Sequence, residues 1–322
     1  GGWGVRQSDW QWGINVQHEL VPRVSLEVGY NRRWWTGPSA SDGFVTDDLN
    51  RAPGDYEAFT LIAPSDPRLP GGGGYPMTFY SQTNAAGPRP ASNYITREDN
   101  YGSPTEYWHG VDWTVNARLR DGLFLQLGAG TGRKIIDRCD TITRVDQPTI
   151  PTNAITAPGL QQATSCFSKE PFQTTLRGLA SYTLPKIDVR LSGTFRSQPG
   201  DARLATWVVP NTVIAASLGR LPFGALATGT TSVALLDLDE NRLYADNRRS
   251  QVDLRVAKLF RFGDRRLDAG FDIGNLLNTN YATAYDNTYQ YTVGNTAQGG
   301  RWNNPTSVIT ARFLPWNVTV DF

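Results

Sequence analysis

Four stretches of this chain alternate apolar with polar residues over unusual lengths, and each folds back through a very short turn. In the first, Trp10, Trp12, Ile14, Val16 and Leu20 stand against Gln11, Gly13, Asn15, Gln17 and Glu19, broken only by His18. Period two sends successive side chains to opposite faces of a strand. After Pro22 and Arg23 the pattern returns through Val24, Leu26, Val28, Tyr30 and Trp34, with Ser25, Glu27, Gly29 and Asn31 on the other face. A hairpin with a tight turn is predicted. The unit recurs across Asp121-Gly122, Pro185-Lys186 and Gly263-Asp264, and a last strand is expected from about Thr306 to Phe322.

Between the hairpins lie long segments rich in Pro, Gly, Asn, Asp and Thr, at roughly 36–105, 131–171, 197–249 and 276–305. Structureless connections of that length are foreign to a compact soluble domain. They are expected in an outer-membrane barrel, where periplasmic turns are short and extracellular loops long, and whose tilted strands need about 9 to 11 residues. Aromatic residues cluster where strands meet the long loops, among them Trp10, Trp12, Trp34 and Tyr107. The faces opposite the apolar ones carry Glu27, Asp112, Arg118, Asp188, Arg190, Asp253, Arg255 and Asp272. Charges of both signs in mid-strand need water or partners, so these eight are predicted to face a lumen. The reading is an all-β fold: a partial transmembrane β-barrel of about nine long antiparallel strands, with residues 1–322 forming one wall portion. The alternation alone also fits a soluble β-sandwich binding module with its polar face in water.

Composition narrows the partners. With 31 basic against 30 acidic residues the chain offers nothing to a polyanion, and no nucleic-acid partner is expected. No run of about 18 apolar residues exists, which excludes a membrane-crossing helix but not a membrane barrel. Cys139 and Cys166 share one polar stretch and read as a disulfide in an oxidising compartment, the alternative being two unpaired loop thiols.

Several motifs point to chemistry that their context denies. "LFLQLGAGTGRK" (123–134) imitates a nucleotide-binding glycine turn, but neither a helix nor a second strand of a βαβ unit follows, so no cofactor is expected. Gly71 to Gly74 lack the ending of a phosphate loop and read as a flexible loop. A catalytic barrel needs a base beside a nucleophile, yet His18 and His109 both fall on the apolar side by parity, so no enzyme is expected. Asp237, Asp239 and Glu240, or Asp47 with Asp48, are loop acids that could hold a cation, though without the frame of a calcium loop, and no metal site is assigned.

The chain closes on "NVTVDF", with Val318, Val320 and Phe322 alternating against Asn317, Thr319 and Asp321. Such a strand is expected to seal a sheet edge by pairing with the first strand. Counting back from a last strand that descends to the periplasm leaves nine strands, and an even barrel count then places at least one more before Gly1. "QVDLRVAKLFRFGDRRLDAGFDIGNLLNTNYATAY" (251–285) and "NPTSVITARFLPWNVTVDF" (304–322) resemble the C-terminal barrel strands of TonB-dependent receptors, in particular the Oar-like group with a carboxypeptidase-regulatory-like N-terminal domain. "APSDPRLPGGGGY" (63–75) and "YWHGVDWTVNARLRDGLFLQLGAGTGRK" (107–134) are similar to that group's loops and strands, and "DIGNLLN" (272–278) and the terminal strand are the most specific elements. The resemblance implies a bacterial outer-membrane location, contact with outer-membrane lipid and the barrel assembly machinery, and an extracellular ligand. It also implies energy-dependent uptake through a plug and a TonB-contacting segment, neither of which lies in these residues. Val318, Val320 and Phe322 resemble the terminal insertion signal of such barrels. A surface adhesin or structural barrel without active transport is the alternative.

Overall fold

The computed structural model describes residues 8–36, 44–90, 92–119, 122–142, 160–163, 166–236, 248–263, 265–290 and 300–321. Its principal sheet follows a nine-strand antiparallel path: β1 (Ser8–Val21), β2 (Val24–Thr36), β3 (Thr105–Arg118), β4 (Leu123–Asp137), β5 (Gln173–Leu184), β6 (Val189–Gln198), β7 (Arg249–Phe262), β8 (Arg265–Ile273) and β9 (Trp316–Asp321). Each strand pairs with its sequence neighbour on this path, so the all-β antiparallel reading holds. Phe167–Lys169 adds a short tenth strand beside the end of β4.

Each short turn holds at least one residue at positive φ. Arg23 (φ 70°) turns β1 into β2 and Gly122 (φ 79°) precedes β4, while Gly263 (φ 63°) follows β7. The turn between β5 and β6 takes four residues, with Lys186 and Asp188 both at positive φ. Asp188 is therefore a turn residue and not a mid-strand one; its carboxylate lies 3.4 Å from the Arg261 guanidinium.

Two further expectations change. The last strand is not continuous: Pro305–Val308 pairs with Ala282–Tyr285, and only Trp316–Asp321 joins the principal sheet. Between them one bridge holds, Gly274 to Phe313. Pro315 has no N–H to donate to a ladder, although its carbonyl accepts from the Asp272 amide at 3.0 Å. Among the described residues, β1 and β9 are the two ends of the sheet path and are not paired with each other. Phe322 lies outside the described residues.

In their described residues the long segments are folded, contrary to the structureless loops expected. Tyr56–Ile62, Pro76–Gln82 and Leu160–Gln162 form one small sheet; Thr206–Pro210, Thr230–Ala234 and Thr288–Tyr289 form another; a helix spans Asn211–Leu218. Their apolar side chains make a common core that includes Phe59, Leu61, Phe79, Trp207, Ile214 and Tyr289. Phe79 and Tyr289 are 0% exposed, whereas the wall residues Leu127, Leu191 and Phe195, in the middle strands of the large sheet, remain 39%, 37% and 38% exposed. The dry core of this protein is thus in its loops.

Candidate functional site

The strand registers assign every wall residue to a face. Gln17, Glu27, Thr114, Gly128, Arg177, Arg196 and Gln251 lie opposite one another in sequence across seven strands. Because side chains alternate, Asp112, Arg118, Arg190, Asp253, Arg255 and Asp272 share that face with Glu27. The other face carries Ile14, Val28, Trp113, Leu125, Leu254, Phe271 and Val318.

Charge is neutralised within the polar face. Arg190 pairs with Asp268; Arg255 reaches Asp268 at 3.1 Å and Asp272 at 3.2 Å, and donates to the Asn317 side-chain oxygen at 2.5 Å. The Asn317 amide in turn donates to Asp272. This lattice ties β6, β7, β8 and β9 together, and Asp268 is buried at its centre. Parity places Asp268 on this face, since it alternates with Leu267 and Ala269, although the sequence reading singled out only Asp272 on this strand. Asp253 looks along the face: it accepts from Gln251 at 2.9 Å and from the Asn275 backbone amide at 2.8 Å.

That last contact explains "DIGNLLN". Asn275 and Asn278 take positive φ (52° and 50°), a conformation Asn tolerates. The buried Asn275 amide donates to the carbonyls of Thr279 (2.9 Å) and Thr310 (3.0 Å) and accepts from the Thr279 N–H at 2.9 Å. Gly274 lies under the Phe313 ring, where a Cβ would come within 2.3 Å of the ring. The motif is a fastening where β8 leaves the sheet.

The glycines of "LGAGTGRK" are strand residues. Gly128, Gly130 and Gly132 alternate along β4 on the polar face, and their missing side chains leave a furrow of about 420 Å³. Trp108 lies over one end, since a Cβ on Gly132 would meet its indole at 2.2 Å. Asp112, Thr175 and Arg177 flank the rest. The Asn31 amide donates to Asp112 at 2.5 Å. A glycine-floored trough beside an indole and charges of both signs can hold a flat polar ligand.

The loop core, or cap, is fastened at "APSDPRLPGGGGY". Asp66 is buried and takes a two-pronged contact from Arg68, Nη2 at 2.7 Å and Nε at 3.0 Å, and the Tyr289 hydroxyl donates to it at 2.9 Å. The Arg68 guanidinium beside it, outweighing burial, holds the Asp66 carboxyl below its ordinary value. Arg68 stands 5.3 Å from the Trp302 ring, whose N–H donates to the Leu204 carbonyl at 2.8 Å. Gly71 to Gly74 all have φ between 61° and 84°, and Gly73 packs so closely on the Pro64 carbonyl that no Cβ fits. They form a defined turn and not a flexible loop. Gln162 clasps residue 234 through both its amide atoms, at 2.6 and 2.8 Å.

Cys139 and Cys166 form a disulfide with Cα atoms 4.7 Å apart, joining the end of β4 to the short strand beside it. Thiol titration of the denatured, unreduced chain is expected to find no free thiol, and two after reduction; two before reduction would contradict the bridge. Next to it the fully buried Glu98 receives Arg138 Nε at 2.6 Å, while its other oxygen has no partner. Burial raises the Glu98 carboxyl above its ordinary value, against the pull of Arg138. A raised folded value means stability is fully present below the unfolded value and lost as pH climbs through the folded one. Amide protection factors around 93–103, with the intrinsic pH dependence of exchange divided out, are therefore expected to rise on acidification from neutral through the weak-acid range, and Glu98→Gln to abolish that rise. Protection that is flat with pH in the unmodified chain would contradict this.

The remaining predicted residues scatter. Asp48 accepts from the backbone amides of Asn50 and Ser92 and pairs with Arg51, so it fastens a turn. The Asp47 side chain and Asp237, Asp239 and Glu240 lie outside the described residues. No cluster of three or more His, Cys, Asp or Glu that could hold a metal occurs among the described residues. His109 meets Tyr30, Tyr107 and Phe172 by its ring edges and faces, and Arg133 donates to its Nε2 at 3.1 Å. No family model, curated protein or solved structure matches the chain.

Proposed function

We propose that this chain is wall and surface cap of an outer-membrane β-barrel, the C-terminal part of a TonB-dependent transporter whose polar face lines a lumen and whose folded loops select an extracellular ligand. The observation that carries the barrel half is the two-faced sheet: an apolar face with large side chains left exposed on seven of its nine strands, and behind it a polar face in which Arg190 and Arg255 pair with Asp268 and Asp272. An apolar surface of that extent far exceeds the roughly 300–600 Å² patch of a soluble monomer. Hydrocarbon is the environment that suits it, and a wide lumen suits Asp268, Arg190 and Arg255. Short turns at one edge and folded loops at the other support the same orientation. The transport half rests on the resemblance of residues 272–278 and of the terminal strand.

In outer-membrane fractions the parent protein is expected to migrate as a heat-modifiable barrel, and its ligand uptake to stop when the proton-motive force is dissipated. Purification as a folded monomer without detergent would contradict the membrane reading. A second reading draws on the cap, whose separate core suits a surface adhesin without transport; it predicts ligand occupancy indifferent to energisation.

A further inference from the structure

On the apolar face, one row across the first four strands is not apolar. Trp12, Arg32, His109 and Arg133 stand directly opposite one another in register on β1, β2, β3 and β4. On the polar face Arg33, Arg190 and Arg255 each meet a carboxylate, Asp9 in the first case and Asp268 in the other two. Arg32 and Arg133 meet none among the described residues. Arg32 lies over the Tyr107 ring at 4.7 Å, and its buried Nε has no hydrogen-bond partner. Arg133 lies over Phe172 at 4.6 Å and spends its Nε on His109. A cleft of about 730 Å³ opens beside Arg32, lined also by Trp12, Trp34 and Tyr107 and by Asp99 and Glu106, whose carboxylates are taken up by Arg97 and Lys134.

Position decides what anion could fill it. Arg32 lies eight residues along β2 from Val24, which at about 3.3 Å per residue and a tilt near 40–45° is on the order of 20 Å above the short turns. That is close to the upper edge of an apolar band about 25 Å tall. Arg32 and Arg133 are two strands apart, roughly 10 Å at the backbone, so their long arms can converge on one group. Two guanidinium forks, unmatched by protein carboxylates and set where aromatic rings meet apolar wall, suit a tetrahedral oxyanion with several acceptor oxygens.

We infer that Trp12, Arg32, His109 and Arg133 form a binding site for the phosphate monoester headgroup of a membrane lipid, whose acyl chains run down the wall past Ile14, Val28 and Val111. This rests on the membrane reading above. A lipid is favoured over a free anion because the row is continuous with exposed apolar wall, Ile14 and Val111 being 61% and 42% exposed.

The test uses the full-length parent in a zwitterionic detergent, examined by native mass spectrometry with diphosphorylated lipid A, its dephosphorylated form, and inorganic phosphate. The diphosphorylated lipid is expected to bind at least about tenfold more tightly than the dephosphorylated form, and the double variant Arg32→Gln/Arg133→Gln to lose that preference. Arg196→Gln, on the opposite face, should keep it. Equal binding of the two lipids, an undiminished preference in the double variant, or full displacement by equimolar inorganic phosphate would overturn the inference. Heat-modifiable migration of each sample separates the two levels: without it the membrane reading fails and the lipid site with it, whereas a proper barrel lacking headgroup preference sinks the lipid site alone.

Discussion

Leu127→Arg is expected to cost the assembled wall about 2–4 kcal/mol, while Gln126→Arg, one residue earlier, costs close to nothing. Leu127 lies opposite Val115 and Gly178 on the apolar face, and Gln126 lies opposite Asn116 and Leu179 on the polar one. Leu127 sits well inside β4, so an arginine there cannot snorkel easily to either interface. The difference amounts to roughly 30- to 1000-fold in the folding equilibrium. Denaturant titration of the refolded parent in vesicles measures it. Equal costs at the two positions would mean that both faces see the same solvent, and the two-faced reading would fall.

Trp302→Ala is expected to cost the cap about 3–5 kcal/mol and leave the wall intact. The indole is 1% exposed, packs edge-on against Tyr289 with centroids 5.4 Å apart, supports Arg68, and donates to the Leu204 carbonyl. Removing it opens a cavity, orphans that carbonyl and loosens the Asp66 cluster, so segments distant in sequence lose their common anchor. Amide protection at 56–82 and 206–234 should collapse while that of β3 to β6 persists. Loss of protection in both regions together would show that cap and wall are one cooperative unit.

The wall was legible because its forces are local in sequence. Alternation such as Trp10 to Leu20 states both the strand and its faces, and turn residues such as Gly122 and Gly263 mark where it reverses. The same parity put Asp112, Arg118, Asp253 and Arg255 on one side. It failed at Asp188, because a turn of four residues looks like two when Ile187 continues the apolar rhythm. It failed again past Val308, where "LPW" reads as strand although Pro315 cannot donate to a ladder.

The cap was illegible for the opposite reason. Its strands run two to seven residues, too short for a period to declare itself, and Phe59, Trp207 and Tyr289 meet across separations that no local pattern encodes. Glu98 gave no signal, since its burial depends on Arg138 forty residues away. Proline and glycine that read as loop, notably Gly71 to Gly74, allow a tight turn in which the Gly72, Gly73 and Gly74 amides donate to the carbonyls of Leu69, Pro70 and Ala63.

Which face of the wall meets hydrocarbon can be read from a scan along β6. Single cysteines placed from Arg190 to Phe195 in the parent, each carrying an environment-sensitive fluorophore in vesicles, would be exposed in turn to brominated lipid and to a water-soluble quencher. The account expects period two: bromine quenches at Leu191, Gly193 and Phe195, and the aqueous quencher acts at Arg190, Ser192 and Thr194. Aqueous quenching at all six positions, or the inverse alternation, would contradict it.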